Sequence, residues 1–193
     1  MTGTKRSLWL LLASALLAGT GCGRAQPVEP ALLSPATIRD IMDSMIDPSA
    51  DFLFESVATI SDEQGIREIA PRTDEEWQEV RRRAIVLLEA PNLLIMRGRA
   101  VAGPNDASKN PAMELEPAQI QALIDADRPA FLTYARGLQD AAMLALRASE
   151  AKNKDALFSA SERIDKACES CHLKYWYPND QRAQDAAREN QRR

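Results

Sequence analysis

The sequence is poor in histidine, in aromatic residues and in long apolar runs. One residue of 193 is a histidine, so a site that needs two imidazoles from the same chain is excluded. Aromatic residues make up 5%, and their scarcity beside plentiful alanine, leucine, glutamate, arginine and glutamine favours helices over sheets. The formal net charge of -4 argues against a general affinity for nucleic acid. With 45% hydrophobic and 27% charged residues, the chain has the balance of one ordinary globular domain.

The longest predominantly apolar run extends from Leu8 to Ala18 and follows Lys5 and Arg6. A short positive segment followed by roughly ten apolar residues is the layout of a secretory signal. A transmembrane helix needs about 20 apolar residues, so a membrane span fits this run less well. We therefore predict a signal peptide over residues 1–21 and export to the periplasm, with an uncleaved anchor as the alternative.

Cys22 follows the small residues Gly19, Thr20 and Gly21. This arrangement resembles the lipobox of bacterial lipoproteins, in which the cysteine is lipidated and becomes the first mature residue. The match has one departure, because Gly19 stands where the pattern usually has leucine. We predict that lipidated Cys22 tethers the protein to a membrane through residues 22–34. Cleavage that leaves Cys22 unmodified is the alternative.

Two helices are predicted in the first half of the mature chain. The first begins after Pro35, and a set of apolar residues at helical spacing forms its inner face: Ile38, Ile41, Met42, Met45 and Ile46. Pro48 then introduces a kink or a turn, after which the helical pattern continues towards Ile60. Thr73 and Glu76 form the capping box of the second helix.

Two further helices complete the predicted fold. The third begins near Pro117 and is split at Pro129, where Asp127 supplies a new cap. The fourth runs from about Asp155 to Tyr175. Residues 61–72 and 101–116 are interpreted as connections, no strand is predicted, and residues 178–193 form a polar C-terminal tail. The sequence therefore predicts an all-α domain over residues 35–177, an antiparallel four-helix bundle.

Cys168, Cys171 and His172 form the pattern C-x-x-C-H, which is typical of c-type haem attachment. The two thiols add to the haem vinyl groups as thioethers, and the adjacent imidazole coordinates the iron. On a helix these three residues fall on one face and approach the same side of one porphyrin. The alternatives are a short-loop disulfide, a redox-active thiol pair, and a zinc site for which a fourth ligand is missing nearby.

The single histidine also limits the second axial ligand of the iron. Because His172 is the only imidazole, the sixth position is filled by methionine, filled weakly, or left open. Hydrolases of the Ser-His-Asp or Cys-His type would compete for the same residue, and no spare histidine exists for peroxidase chemistry. We therefore expect the protein not to be an enzyme.

With this motif near its C-terminus, the chain resembles the class II cytochromes c, the cytochrome c prime family and its low-spin relatives. The resemblance implies a four-helix bundle of that type, with Cys168 and Cys171 as the thioether anchors and His172 as the proximal ligand. It also implies a methionine or an apolar residue of the first helix over the iron, here Met42 or else Met45. Arg39 would contact a haem propionate. One departure is Trp176, which stands where the family commonly has a basic residue.

These observations together predict an exported c-type cytochrome with one covalent haem that transfers electrons to redox partner proteins. The alternative is a high-spin haem protein that binds nitric oxide or carbon monoxide at an open distal site. Related bundles often form dimers, which leaves a homodimer open. A further alternative is a helical lipoprotein adaptor that binds no haem, in which the C-x-x-C-H pattern has no role in haem attachment.

Overall fold

The computed structural model describes residues 32–181 and 184–185, and this part of the chain is mostly helical. The expectation of a helical domain is therefore confirmed, with the addition of one small sheet. The predicted signal peptide, Cys22, most of the tether and most of the C-terminal tail lie outside the described residues. Within those residues, no helix combines the length and the apolar character needed to cross a membrane.

The first helical stretch consists of three consecutive segments. These are α1 (Ile38–Ile41), a π-helical turn (Met42–Ile46) and α2 (Asp47–Ser56). A capping box begins the stretch, in which the Thr37 side chain accepts from the Asp40 N–H and the Asp40 carboxylate accepts from the Thr37 N–H.

Pro48 explains the π-helical turn. In an α-helix its ring would clash with the carbonyl of Ser44, four residues earlier. The wider turn relieves this contact, and the Asp47 N–H donates to the Met42 carbonyl five residues earlier. The Ser44 hydroxyl donates to the Asp40 carbonyl. Of the two outcomes expected at Pro48, a kink or a turn, the chain does not take the turn, because it continues as a helix to Ser56.

A β-hairpin follows, which corrects the prediction that residues 61–72 form an irregular connection and that no strand is present. Strand β1 (Ala58–Asp62) pairs antiparallel with β2 (Gly65–Ile69), so that Ala58 faces Ile69. The expected continuation of the helix to Ile60 is also wrong. Both strands are largely exposed, so they show no alternation of apolar and polar residues from which they could be recognised. Gly65, with a φ of 116°, adopts a conformation that favours glycine beside the two-residue turn.

The remaining helices are α3 (Asp74–Leu94), α4 (Pro117–Ala126), α5 (Arg128–Glu150) and α6 (Lys154–Tyr175). The capping box predicted at Thr73 is present, and so is the predicted break before α5. There the Asp127 side chain accepts from the Ala130 N–H. The predicted limits of the last helix agree with α6 to within one residue.

The long helices pack against one another around a common core. Helix α3 packs on α5, α5 on α6, and α2 on both α3 and α6. Helices α3 and α5 run antiparallel, because the Arg128 guanidinium donates to the Ile95 carbonyl at one end and Arg81 pairs with Glu150 at the other. Small buried residues in three of the helices allow close approach: Ala84, Ala142, Ala145 and Ala160.

Replacing Thr73 with alanine tests the capping box. We expect Thr73→Ala to lower the free energy of unfolding by about 1 kcal/mol, because the Glu76 N–H loses its acceptor at the start of α3. Urea unfolding followed by circular dichroism measures the change. The matched control is Thr133→Ala in the interior of α5, which should have little effect because its hydroxyl bonds only the Pro129 carbonyl. Equal losses in both variants would contradict the assigned cap.

Candidate functional site

Helix α6 presents Cys168, Cys171 and His172 on one face, close to its C-terminal end. All three residues are half-buried, and they continue the apolar stripe formed by Leu157 and Ile164 on the same helix. The His172 carbonyl accepts from the N–H groups of Trp176 and Tyr177 at 2.7 and 3.0 Å, which ends the helix just beyond the motif. The geometry thus places two sulfurs and one imidazole side by side on a single wall.

This wall borders an apolar cleft between helices. The first helical stretch, α3 and α5 supply the other walls, and the lining includes Met42, Ile46, Leu94, Phe131, Tyr134 and Leu138 together with the three motif residues. The free volume of this cleft is about 30 Å³, about the space of a single water molecule. A larger group therefore enters only if the surrounding helices move apart.

A second, more polar cleft adjoins the first. Its free volume is about 180 Å³, and its lining residues are Arg39, Met42, Asp43, Asp47, Lys109, Glu114, His172, Trp176 and Tyr177. Met42, Asp47 and His172 line both clefts. The two clefts thus meet at the imidazole, with an apolar side towards the cysteines and a charged side towards the loop of residues 101–116.

Met42 and Met45, the two candidates for the methionine beside His172, differ in their positions in the structure. Both side chains pack against the core, but Met42 lines both clefts together with His172, whereas Met45 lines neither. Arg39 lines the polar cleft, and its guanidinium lies 3.8 Å from the Asp106 carboxylate. Of the residues predicted from sequence, the structure brings together Cys168, Cys171, His172, Met42 and Arg39.

Burial keeps both thiols protonated. It raises the pKa of Cys168 to about 12, with the negative charge of Asp47 adding to the effect. It raises the pKa of Cys171 likewise to about 12. Neither sulfur is in a disulfide. A redox-active thiol pair needs a thiolate with a depressed pKa, so this environment argues against thiol–disulfide exchange.

Burial also lowers the pKa of His172, against the opposing effect of Asp47, Glu169 and Glu114. Loss of water around its carboxylate raises the pKa of Asp47, and the neighbouring imidazole acts in the opposite direction. A lowered pKa favours the neutral imidazole, which is the form that coordinates a metal.

The loop of residues 101–116 supplies charged side chains to the polar cleft, and no sequence motif indicates them. Lys109 donates to both oxygens of Asp43 at 2.7 and 2.8 Å, and the Leu115 N–H donates to the Trp176 carbonyl at 2.7 Å. Glu114 reaches the same cleft. These residues carry no motif, and Lys109 lies 66 positions from Asp43 in the sequence, so only the folded chain brings them to the site.

The buried hydroxyl of Tyr175 is a further feature near the motif. Its ring packs edge-on between those of Phe131 and Tyr134, with centroid separations of 5.6 and 5.8 Å. Among the described residues the hydroxyl finds no hydrogen-bond partner. An unpaired buried hydroxyl costs free energy.

Within residues 32–181 and 184–185, no group of three or more histidine, cysteine, aspartate or glutamate side chains is arranged to hold a metal ion. Neither a protein-family model, nor a curated protein, nor a solved structure matches this chain.

The raised thiol pKa values predict slow alkylation of the apoprotein. In a Cys22→Ser background, iodoacetamide near pH 8.5 should modify Cys168 and Cys171 at least about tenfold more slowly in the folded protein than in denaturant. An unperturbed cysteine is about half ionised at that pH, whereas the buried thiols stay protonated. Mass spectrometry gives the rates, and circular dichroism checks that the apoprotein is helical. Equal rates in the two conditions would refute the assigned burial.

Proposed function

We propose that the chain is an exported c-type cytochrome that carries one covalent haem and transfers electrons. The observation that supports this most strongly is the convergence of Cys168, Cys171, His172 and Met42 on one cleft between helices. The motif alone requires only a helical turn, but a haem also needs an apolar slot and a second axial group. Apolar side chains and Met42 border the motif, which supports the proposal, and the surrounding helices would move apart to admit the ring.

The residues present fit a haem on the chemistry of their donor groups. Two thiols can form thioethers, the neutral imidazole of His172 can bind iron, and the Met42 sulfur faces the same cleft. Phe131, Leu138 and Leu94 supply an apolar wall for the porphyrin. When bound, the haem supplies an iron that takes up and releases one electron.

The remaining side chains explain why electron transfer suits this site better than catalysis. The apolar walls leave room for little water inside the cleft, and two covalent anchors on one face of α6 would hold the bound group in one position. His172 is the only imidazole of the chain and is occupied as a ligand in this proposal, so no second histidine serves as an acid–base catalyst.

We also propose the finer fold, an antiparallel four-helix bundle of the cytochrome c prime type. The first helical stretch, α3, α5 and α6 would be its four members. The pairwise packing of these helices supports this arrangement. The position of the motif near the end of the last helix agrees with it, as does a first helix that presents Met42 to the cleft.

Export and membrane attachment complete the proposal. Residues 1–21 would be removed as a signal peptide, and lipidated Cys22 would tether the domain in the periplasm. Loss of Lys5 and Arg6 takes the net charge from -4 to -6, because residues 1–21 contain no acidic residue. An acidic protein favours a redox partner with a basic docking surface.

Covalent haem attachment is the first prediction of this function. Full-length protein from a host competent in cytochrome maturation should retain haem stain on a denaturing gel and gain the mass of one haem. The double variant Cys168→Ser/Cys171→Ser should lose the stain, because no thioether can form. Cys22→Ser is the matched control and should stay stained. Unstained wild-type protein from that host would end the cytochrome proposal.

The second prediction concerns the methionines. Met42→Ala should abolish the methionine–iron charge-transfer absorption of the ferric protein, whereas Met45→Ala should keep it, because only Met42 reaches the cleft with His172. Absorption spectra of the purified holoproteins provide the test. A spectrum that is high-spin in wild type and unchanged by Met42→Ala would instead favour the alternative function of binding nitric oxide or carbon monoxide.

A further inference from the structure

We propose that Lys109 binds the carboxylate edge of the haem, so that the loop of residues 101–116 fastens the group in its cleft. This inference rests on the proposed haem function and adds to it a binding residue that no motif indicates. Three features of the structure support it: the polarity of the two clefts, the charges around the polar cleft, and the attachment of the loop.

The polarity of the clefts sets the orientation of the bound group. A haem has an apolar ring with two carboxylates on one edge. The cysteines, Phe131 and Leu138 line the apolar cleft, so the vinyl edge that forms thioethers must lie there. The carboxylate edge is then left on the side of the polar cleft, since burying it in the apolar cleft would leave two charges without partners.

The charges around the polar cleft leave few places for a carboxylate. Asp43, Asp47 and Glu114 line it and would repel a negative group. Among its described lining residues, Arg39 and Lys109 are the positively charged ones. They come from different segments, α1 and the loop, so two carboxylates can be received by two separate cations.

Lys109 is also free to change partners. Its side chain is 59% exposed and donates two short hydrogen bonds to the single carboxylate of Asp43. An ammonium group has three donors, so it can bind a second carboxylate while it keeps a bond to the first. An exposed ion pair of this kind contributes little to stability, so little free energy is lost when Lys109 binds a second carboxylate.

The loop is fastened on both sides of the polar cleft. At its start, the Arg39 N–H donates to the Val101 carbonyl at 3.0 Å. At its end, the Leu115 N–H donates to the Trp176 carbonyl at 2.7 Å. Between these points the Ser108 N–H donates to the Glu116 carboxylate at 3.1 Å. Lys109 is therefore held at the cleft through the backbone of the residue that precedes it.

The test compares Lys109→Ala with wild-type holoprotein by resonance Raman spectroscopy of the haem propionate bending modes. These modes report hydrogen bonding to the carboxylates, which a merely structural ion pair would not change. We expect Lys109→Ala to shift the modes and Lys109→Arg to restore them. We also expect Lys109→Ala to lower the reduction equilibrium constant about 2- to 15-fold, because a cation near the haem favours the reduced iron.

Two control variants distinguish binding of the haem carboxylate by Lys109 from the loss of a surface ion pair. Lys152 forms a similarly exposed ion pair with Asp74 at 2.6 Å, so Lys152→Ala should leave the modes unchanged. Asp43→Asn breaks the ion pair but keeps the ammonium group, and it should not reproduce the shift of Lys109→Ala. A haem-bearing Lys109→Ala protein with wild-type propionate modes would overturn this inference and leave the cytochrome proposal standing. Haem-free wild-type protein would overturn both.

Discussion

The burial of one face of α6 is the constraint on which the rest of the site depends. Leu157, Ala160 and Ile164 are almost completely buried, and this fixes the rotation of the helix about its own axis. The cysteines and His172 lie at positions that continue the same stripe over the next two turns. They must therefore face inwards, towards α5 and the first helical stretch. A rotation of a third of a turn would send both thiols to solvent and separate them from Met42.

The π-helical turn has a comparable effect on the opposite wall. Because it contains more residues than an α-helical turn, it rotates α1 relative to α2, and Ile38 and Ile41 enter the core. Arg39 is then left beside the polar cleft, and Met42 lies where the two clefts meet. Pro48, which imposes the wider turn, thus influences the site without taking part in it. This is one reason why both methionines looked equivalent as long as the helix was assumed to be regular.

Two opposing effects act on the pKa of His172, its burial and the negative charges of nearby acidic residues. Burial favours the neutral form of His172, while Asp47, Glu169 and Glu114 favour the charged form. The cations Arg39 and Lys109 are both engaged with aspartates in the structure. The polar cleft is therefore an ion-pair network rather than a simple positive patch. A ligand with carboxylates would have to exchange partners within it.

The sequence by itself determined the helical class, the capping box at Thr73, the break before α5 and the identity of the C-x-x-C-H residues. All of these depend on contacts within a few positions along the chain, where backbone geometry and residue type act directly. Only the tertiary structure decided that Met42 rather than Met45 reaches the cleft, that Lys109 and Glu114 join it, and that an exposed hairpin follows α2. Those features arise from helix rotation and from contacts between distant segments, and an exposed strand has no buried face to mark it in the sequence.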